Sequence, residues 1–243
     1  LYNLDKKYGS LIRGIFKHKK SSHSIKRRSI SFSKGLNELI NNLTDNISPN
    51  IKLDSKVINI TKKENKFLIE YKKDNELETI SSDNIICTIP AYSLNKLLYN
   101  NNKNATFTNL SEIYYPPIIS LTLAYKKNDF IDIFDGFGLL IPKKEKMNIL
   151  GVLYISSLFK NRAPKDENLI TVFIGGSRQP DLINLDNDML ISLVSQDLKQ
   201  IYGLKDKPIY TSKKVWNNSI PQYNIGFEKY INSIKKFEKN NKG

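Results

Sequence analysis

Cysteine is almost missing from this chain: Cys87 is the only one in 243 residues. A lone thiol closes no internal disulfide, which points to a reducing compartment, and no Cys/His pair has the spacing of a structural zinc site. Histidine is nearly as scarce. His18 and His23 both fall in a basic loop, where neither has an oriented partner for acid–base work. No stretch approaches the roughly 18–20 consecutive apolar residues that a membrane-crossing helix needs. The hydrolase elbow Gly-x-Ser-x-Gly, the His-Glu-x-x-His metal pair and the Gly-x-x-x-x-Gly-Lys phosphate loop are all absent from the sequence. Carboxylates are scattered over polar faces. Chemistry, if there is any, is expected from a cofactor that the protein positions.

Acidic residues are the other shortage, 24 against 38 Lys and Arg, for a net charge of +14. Such a balance invites a nucleic-acid partner, but such binders gather charge on one face with aromatics interleaved. Here lysines are spread along the chain among Asn and Ile, and arginine, the better residue for planar phosphate and base contacts, is sparse. No nucleic-acid partner is therefore expected. One local cluster, His18-Lys19-Lys20 with Arg27-Arg28, reads as a solvated loop; its sharper reading is a patch for anionic lipid headgroups. Hydrophobic residues at 40% and aromatics at 10% are ordinary for a globular protein with a proper core. The start at Leu1 rather than Met reads as an internal fragment.

Along the chain, residues 1–16 read as helix around a glycine turn and 17–30 as loop. Ser33 is placed to cap a helix running to Asn46, with Leu36, Leu39, Ile40 and Leu43 at helical spacing. Period-two alternation then predicts strands at Val57–Ile60, Lys66–Tyr71 and Glu78–Ile80. The apolar run Ile85–Ile89 reads as a buried strand stopped by Pro90, and Ala91–Tyr99 as a helix. Further strands are expected at Ile118–Tyr125, Gly138–Ile141, Ile149–Tyr154, Leu169–Ile174 and 208–216. Helices are expected at Asp186–Tyr202 and 226–238. The class is α+β, mixed sheets with flanking helices, in two strand-rich regions separated near 91–110. Gly175-Gly176-Ser177 reads as a tight turn ending a strand rather than a phosphate loop.

Several blocks in order give this chain a resemblance. They are Gly136-Phe137-Gly138-Leu139-Leu140-Ile141-Pro142, the run Leu150-Gly151-Val152-Leu153-Tyr154-Ile155-Ser156-Ser157, and Asn161-Arg162-Ala163-Pro164. Phe173-Ile174-Gly175-Gly176-Ser177-Arg178 and Val215-Trp216-Asn217-Asn218-Ser219-Ile220-Pro221-Gln222-Tyr223 follow. Upstream, Tyr8-Gly9-Ser10-Leu11-Ile12-Arg13-Gly14 and Ser31-Phe32-Ser33-Lys34-Gly35-Leu36 fall at matching places. Together they resemble the flavin-dependent protoporphyrinogen oxidases, relatives of the monoamine oxidases and phytoene desaturases, over about residues 1–230.

The resemblance implies a truncated FAD-binding, monoamine-oxidase-like architecture of two main domains. Residues 1–30 would belong to a helical membrane-facing domain and 31–90 to the FAD-binding domain. Residues 91–215 would form the substrate domain, and 216–243 would return to the FAD-binding domain. By the same resemblance, Val57 and Trp216 meet FAD, while Leu140, Leu153 and Phe173 hold a tetrapyrrole. A broad, largely apolar ring suits branched and aromatic walls. No catalytic side chain and no metal ligand are assigned.

The implied activity is oxidation of protoporphyrinogen IX to protoporphyrin IX by FAD and oxygen, in haem biosynthesis. The same chemistry on coproporphyrinogen III, another flavin amine oxidase or desaturase, and a basic binding module without enzymatic activity are the alternatives. The tetrapyrrole and oxygen are the implied partners, in the cytoplasm, with room for peripheral membrane contact and a homodimer. Two family features are absent from the sequence: the Gly-x-Gly-x-x-Gly pyrophosphate turn and the Gly-Asn segment that closes over the flavin. Tight FAD binding by this stretch alone is therefore not expected.

Overall fold

The computed structural model describes residues 7–10, 12–13, 30–129, 136–204 and 206–243. The expected helix at 1–16 and basic loop at 17–30 fall largely outside the described residues, and His18 and His23 lie there too.

The first helix, α1 (Asn37–Ile47), starts later than the sequence suggests. Gly35 sits at φ +95°, and the helix has no side-chain cap. Ser33 does not cap it. Its hydroxyl and the Lys34 amide both donate to the Glu38 carboxylate, at 3.2 and 3.0 Å. The apolar stripe read at helical spacing is open among the described residues, with Ile40 57% and Leu43 55% exposed.

Strands β1 (Lys56–Lys63), β2 (Lys66–Lys73) and β3 (Glu76–Ser82) follow as an antiparallel meander. Asp74 and Asn75, both at positive φ, make the two-residue turn between the last two. The run 85–89 is not the buried strand that its composition suggests. Ile86 is 91% exposed, and among the described residues no strand pairs with this segment. The apolar β-branched pattern suits a sheet interior, but strand formation needs a neighbour to take its backbone groups.

The helix expected over Ala91–Tyr99 is also shortened, to α2 (Ala91–Leu94). Leu98 and Tyr99 form strand β4, which pairs parallel with β1. Asn100 and Asn101, both at positive φ, turn the chain into β5 (Asn102–Lys103). Buried Asn59 holds that turn: its amide donates to Asn101 Oδ1 at 2.8 Å and accepts from the Asn101 N–H at 3.1 Å. The first sheet is thus mixed, in the order β3-β2-β1-β4-β5. Helix α3 (Ala105–Asn109) comes next, capped by the Asn104 side chain accepting from Thr106 N at 2.9 Å.

The second sheet uses β6 (Ile118–Lys126), β7 (Gly138–Leu140) and β8 (Ile149–Leu153). After a short helix α4 (Ile155–Leu158) come β9 (Glu167–Gly175), helix α5 (Asn187–Tyr202) and β10 (Tyr210–Trp216). The order is β10-β6-β9-β8-β7, antiparallel throughout. Alternation puts Ile119, Leu121, Leu123, Ile170, Val172 and Ile174 on one face, where Leu190, Val194 and Leu198 of α5 cover them. Each is essentially inaccessible to solvent, which stabilises by about 1.5–3 kcal/mol per side chain. Asp186 caps α5 by accepting from Met189 N at 2.8 Å, and Gly203 ends it at φ +65°.

Helix α6 (Glu228–Asn240) closes the described chain. It packs against the first sheet: Tyr99 meets Phe237 edge-on at 5.0 Å and donates to Asn241 Oδ1 at 2.6 Å. Burial pushes the Tyr99 hydroxyl above its ordinary pKa.

Candidate functional site

The face of the second sheet turned away from α5 carries the open surface. Residues directly opposite each other on paired strands share a face, so the registers can be read straight across it. One row runs Leu140, Gly151, Phe173, Ser120, Lys214. The next runs Gly138, Leu153, Thr171, Thr122, Ser212. Gly175, Ile118 and Trp216 align beside Phe173, Ser120 and Lys214. Four residues expected at the site, Leu140, Leu153, Phe173 and Trp216, therefore stand on one face.

That face is apolar at its centre and wetter towards β10. Leu140 is 87% and Trp216 50% exposed, while Leu153 and Phe173 are half-buried. Gly151 keeps the floor low between Leu140 and Phe173. A Cβ there would stand 2.7 Å from the Leu139 carbonyl and 3.1 Å from the Leu140 side chain. Gly138, at φ +149°, is equally constrained, because a Cβ would lie 2.1 Å from the Val152 carbonyl. The hydroxyls of Thr122 and Thr171 meet at 3.3 Å. Sequence reasoning passed over Ser120, Thr122, Thr171 and Lys214. The signal for Lys214 was available, since it stands two residues before Trp216 on a strand.

Neighbouring elements fix the sheet. Buried Asp197 of α5 accepts from the amides of Asn148 at 2.7 Å and Ile149 at 3.0 Å, holding the start of β8. Tyr154 and Tyr202 share a hydroxyl–hydroxyl bond of 2.9 Å; burial, then that bond, push the Tyr202 pKa upward. Arg178 donates to the Ile141 carbonyl at 2.6 Å. Arg162 reaches Ser31 Oγ at 2.8 Å and the Phe32 carbonyl at 2.5 Å, tying the loop before β9 to the segment before α1. The Gly175–Gly176 pair is a tight turn, with the Gly176 amide bonded to the Pro117 carbonyl at 2.7 Å.

Val57 lies elsewhere, on β1 of the first sheet. It is 43% exposed and sits at a β-bulge between Val57 and Asn59. Its cross-strand partner Tyr71 is buried and donates to Glu78, which lowers the Glu78 pKa, with nearby Lys52 adding to the effect. A separate cleft of about 570 Å³ opens between this sheet and α6, lined by Phe67, Ile85, Cys87, Leu97, Phe107 and Phe237 among others. Among the described residues no group of His, Cys, Asp and Glu could hold a metal ion. No described helix is long and apolar enough to cross a membrane.

Comparison with known proteins agrees with this architecture. The profile of the flavin-containing amine oxidoreductases matches residues 1–242. A chloroplastic protoporphyrinogen oxidase from Nicotiana tabacum is 30% identical over 97% of this chain and 47% of its own length. Coproporphyrinogen III oxidase from Bacillus subtilis is more distant, 20% identical over 96% of this chain and 50% of its own. The solved structure of a provisionally named protoporphyrinogen oxidase from Exiguobacterium sp. 255-15 superposes with a TM-score of 0.73. It is 20% identical, covers 97% of this chain and 49% of that one, and shares the fold. The chain spans about half the length of the curated relatives it matches.

Proposed function

The chain belongs to the flavin-containing amine oxidoreductases, and from that premise we propose that it takes part in the oxidation of protoporphyrinogen IX to protoporphyrin IX, with FAD and oxygen. The observation that carries the substrate is the open sheet face. Leu140, Leu153 and Phe173 form an apolar surface over a glycine floor, suited to a broad apolar macrocycle. Relatives at about 30% identity carry the protoporphyrinogen oxidase name, and a coproporphyrinogen III oxidase stands further off at 20%.

Two places fit the flavin cofactor. Trp216 offers a half-exposed indole beside the apolar rows, able to stack on an aromatic ring. At the bulge beside Val57, Ile58 drops out of the register with β2, which suits a backbone contact with the edge of an adenine. When bound, FAD supplies the redox chemistry, accepting hydrogen from the substrate and delivering it to oxygen. The residues of this chain contribute burial, orientation and water exclusion, in keeping with the scarcity of acid–base groups. In this reading 31–90 and 216–243 serve the FAD-binding domain, 91–215 the substrate domain and 1–30 a helical membrane-facing one. The packing of α6 on the first sheet, through Tyr99, supports grouping 216–243 with that sheet, which also takes in β4 and β5 from just beyond residue 90. A cytoplasmic protein with peripheral membrane contact is the matching location.

The test is a fluorescence assay of the protein expressed at its full natural length, with FAD and oxygen. Faster porphyrin formation from protoporphyrinogen IX supports the proposal; preference for coproporphyrinogen III moves the enzyme to that substrate.

A further inference from the structure

Lys214 is the one charged residue in the rows that cross the open face, in line with Leu140, Gly151, Phe173 and Ser120. Among the described residues no carboxylate pairs with it. Its ammonium instead lies 5.4 Å from the centre of the Trp216 ring. Its sequence neighbour Lys213 turns to the opposite face, beside Leu121, Asp188 and Leu190. Among the described residues, strand alternation thus gives these rows one cation, on β10, which flanks the sheet, while Lys126 and Glu167 on the same face oppose each other at the far ends of β6 and β9.

We propose that Lys214 receives a carboxylate of the substrate and so sets which way the molecule lies on the sheet. This rests on the tetrapyrrole reading above. A porphyrinogen is an apolar ring with carboxylates on its rim, so it needs an apolar floor and a cation at one side. Two strand steps separate Lys214 from Phe173, about 10 Å at ordinary strand spacing, which is the scale of a tetrapyrrole core. With the ring over Leu140, Leu153 and Phe173, a rim carboxylate comes within reach of the lysine. Lys214 is exposed, and the Trp216 ring attracts its ammonium towards the apolar rows. Ser120, directly opposite Lys214, adds a hydroxyl donor on the same face.

The test uses the chain itself, because Trp216 is its only tryptophan. Quenching of its fluorescence on titration with protoporphyrin IX reads binding, and the dimethyl ester in the same micellar buffer removes the carboxylate charge. Lys214→Gln and Lys213→Gln change net charge equally on opposite faces. We expect the free acid to bind about tenfold more tightly than the ester. Lys214→Gln should abolish that preference, Lys214→Arg should restore most of it, and Lys213→Gln should leave it within about twofold. Equal binding of acid and ester, or equal loss in both glutamine variants, overturns the role of Lys214 while the tetrapyrrole reading stands. Failure of both ligands to bind overturns the tetrapyrrole reading, and the role of Lys214 with it.

Discussion

Leu123 and Leu140 are both leucines of the second sheet, yet Leu123 is fully buried under α5 and Leu140 is 87% exposed on the opposite side. A residue in the core holds the fold, and one on the open face is available to a ligand. Leu123→Ala is expected to cost about 2–5 kcal/mol in urea unfolding, from lost burial and the cavity left behind. Leu140→Ser is expected to change stability by less than about 0.5 kcal/mol while weakening protoporphyrin binding. A large stability loss at Leu140 would mean that its face is packed in solution.

Asp197 offers a sharper stability test. Its carboxylate is buried and accepts from the Asn148 and Ile149 amides. Asp197→Ala leaves both donors without that acceptor, and a loss of about 2–4 kcal/mol is expected. Denaturant midpoints with unchanged slope would show that the effect is one of stability.

The pattern of what the sequence revealed has physical causes. Strands β6 and β9 and helix α5 alternate strongly between buried and exposed positions, so their period was readable directly. Strand β4 was not, because a two-residue strand is decided by a distant partner, β1, and by the side chain of Asn59. Ile85–Ile89 has the composition of a strand in a sheet interior, but no described neighbour pairs with it. At the site, the apolar residues were legible from motif order. Their gathering on one face with Lys214 needed the register of strands far apart in sequence.

Alkaline pH tests the core through Tyr125. Burial pushes its hydroxyl up to about 12, a hydrogen bond with Ser195 opposing the shift. Above the unfolded value, near 10, the unfolded chain loses this proton while the folded chain keeps it. Stability from Tyr125 is thus complete below about pH 10 and falls as pH rises towards 12. Urea midpoints should decline over that window, and less steeply in Tyr125→Phe. An identical decline in both proteins would remove Tyr125 from the account.

Cofactor affinity is the next expectation. The sequence carries no Gly-x-Gly-x-x-Gly turn, so no helix start of that kind meets the pyrophosphate. The purified 243-residue chain is expected to be colourless, whereas a stoichiometric yellow flavin spectrum would contradict this.

The most direct measurement compares porphyrin fluorescence from protoporphyrinogen IX and coproporphyrinogen III, using the full-length natural protein with FAD and oxygen. The account predicts faster oxidation of protoporphyrinogen IX. A flavin-loaded protein inactive on both substrates would contradict it.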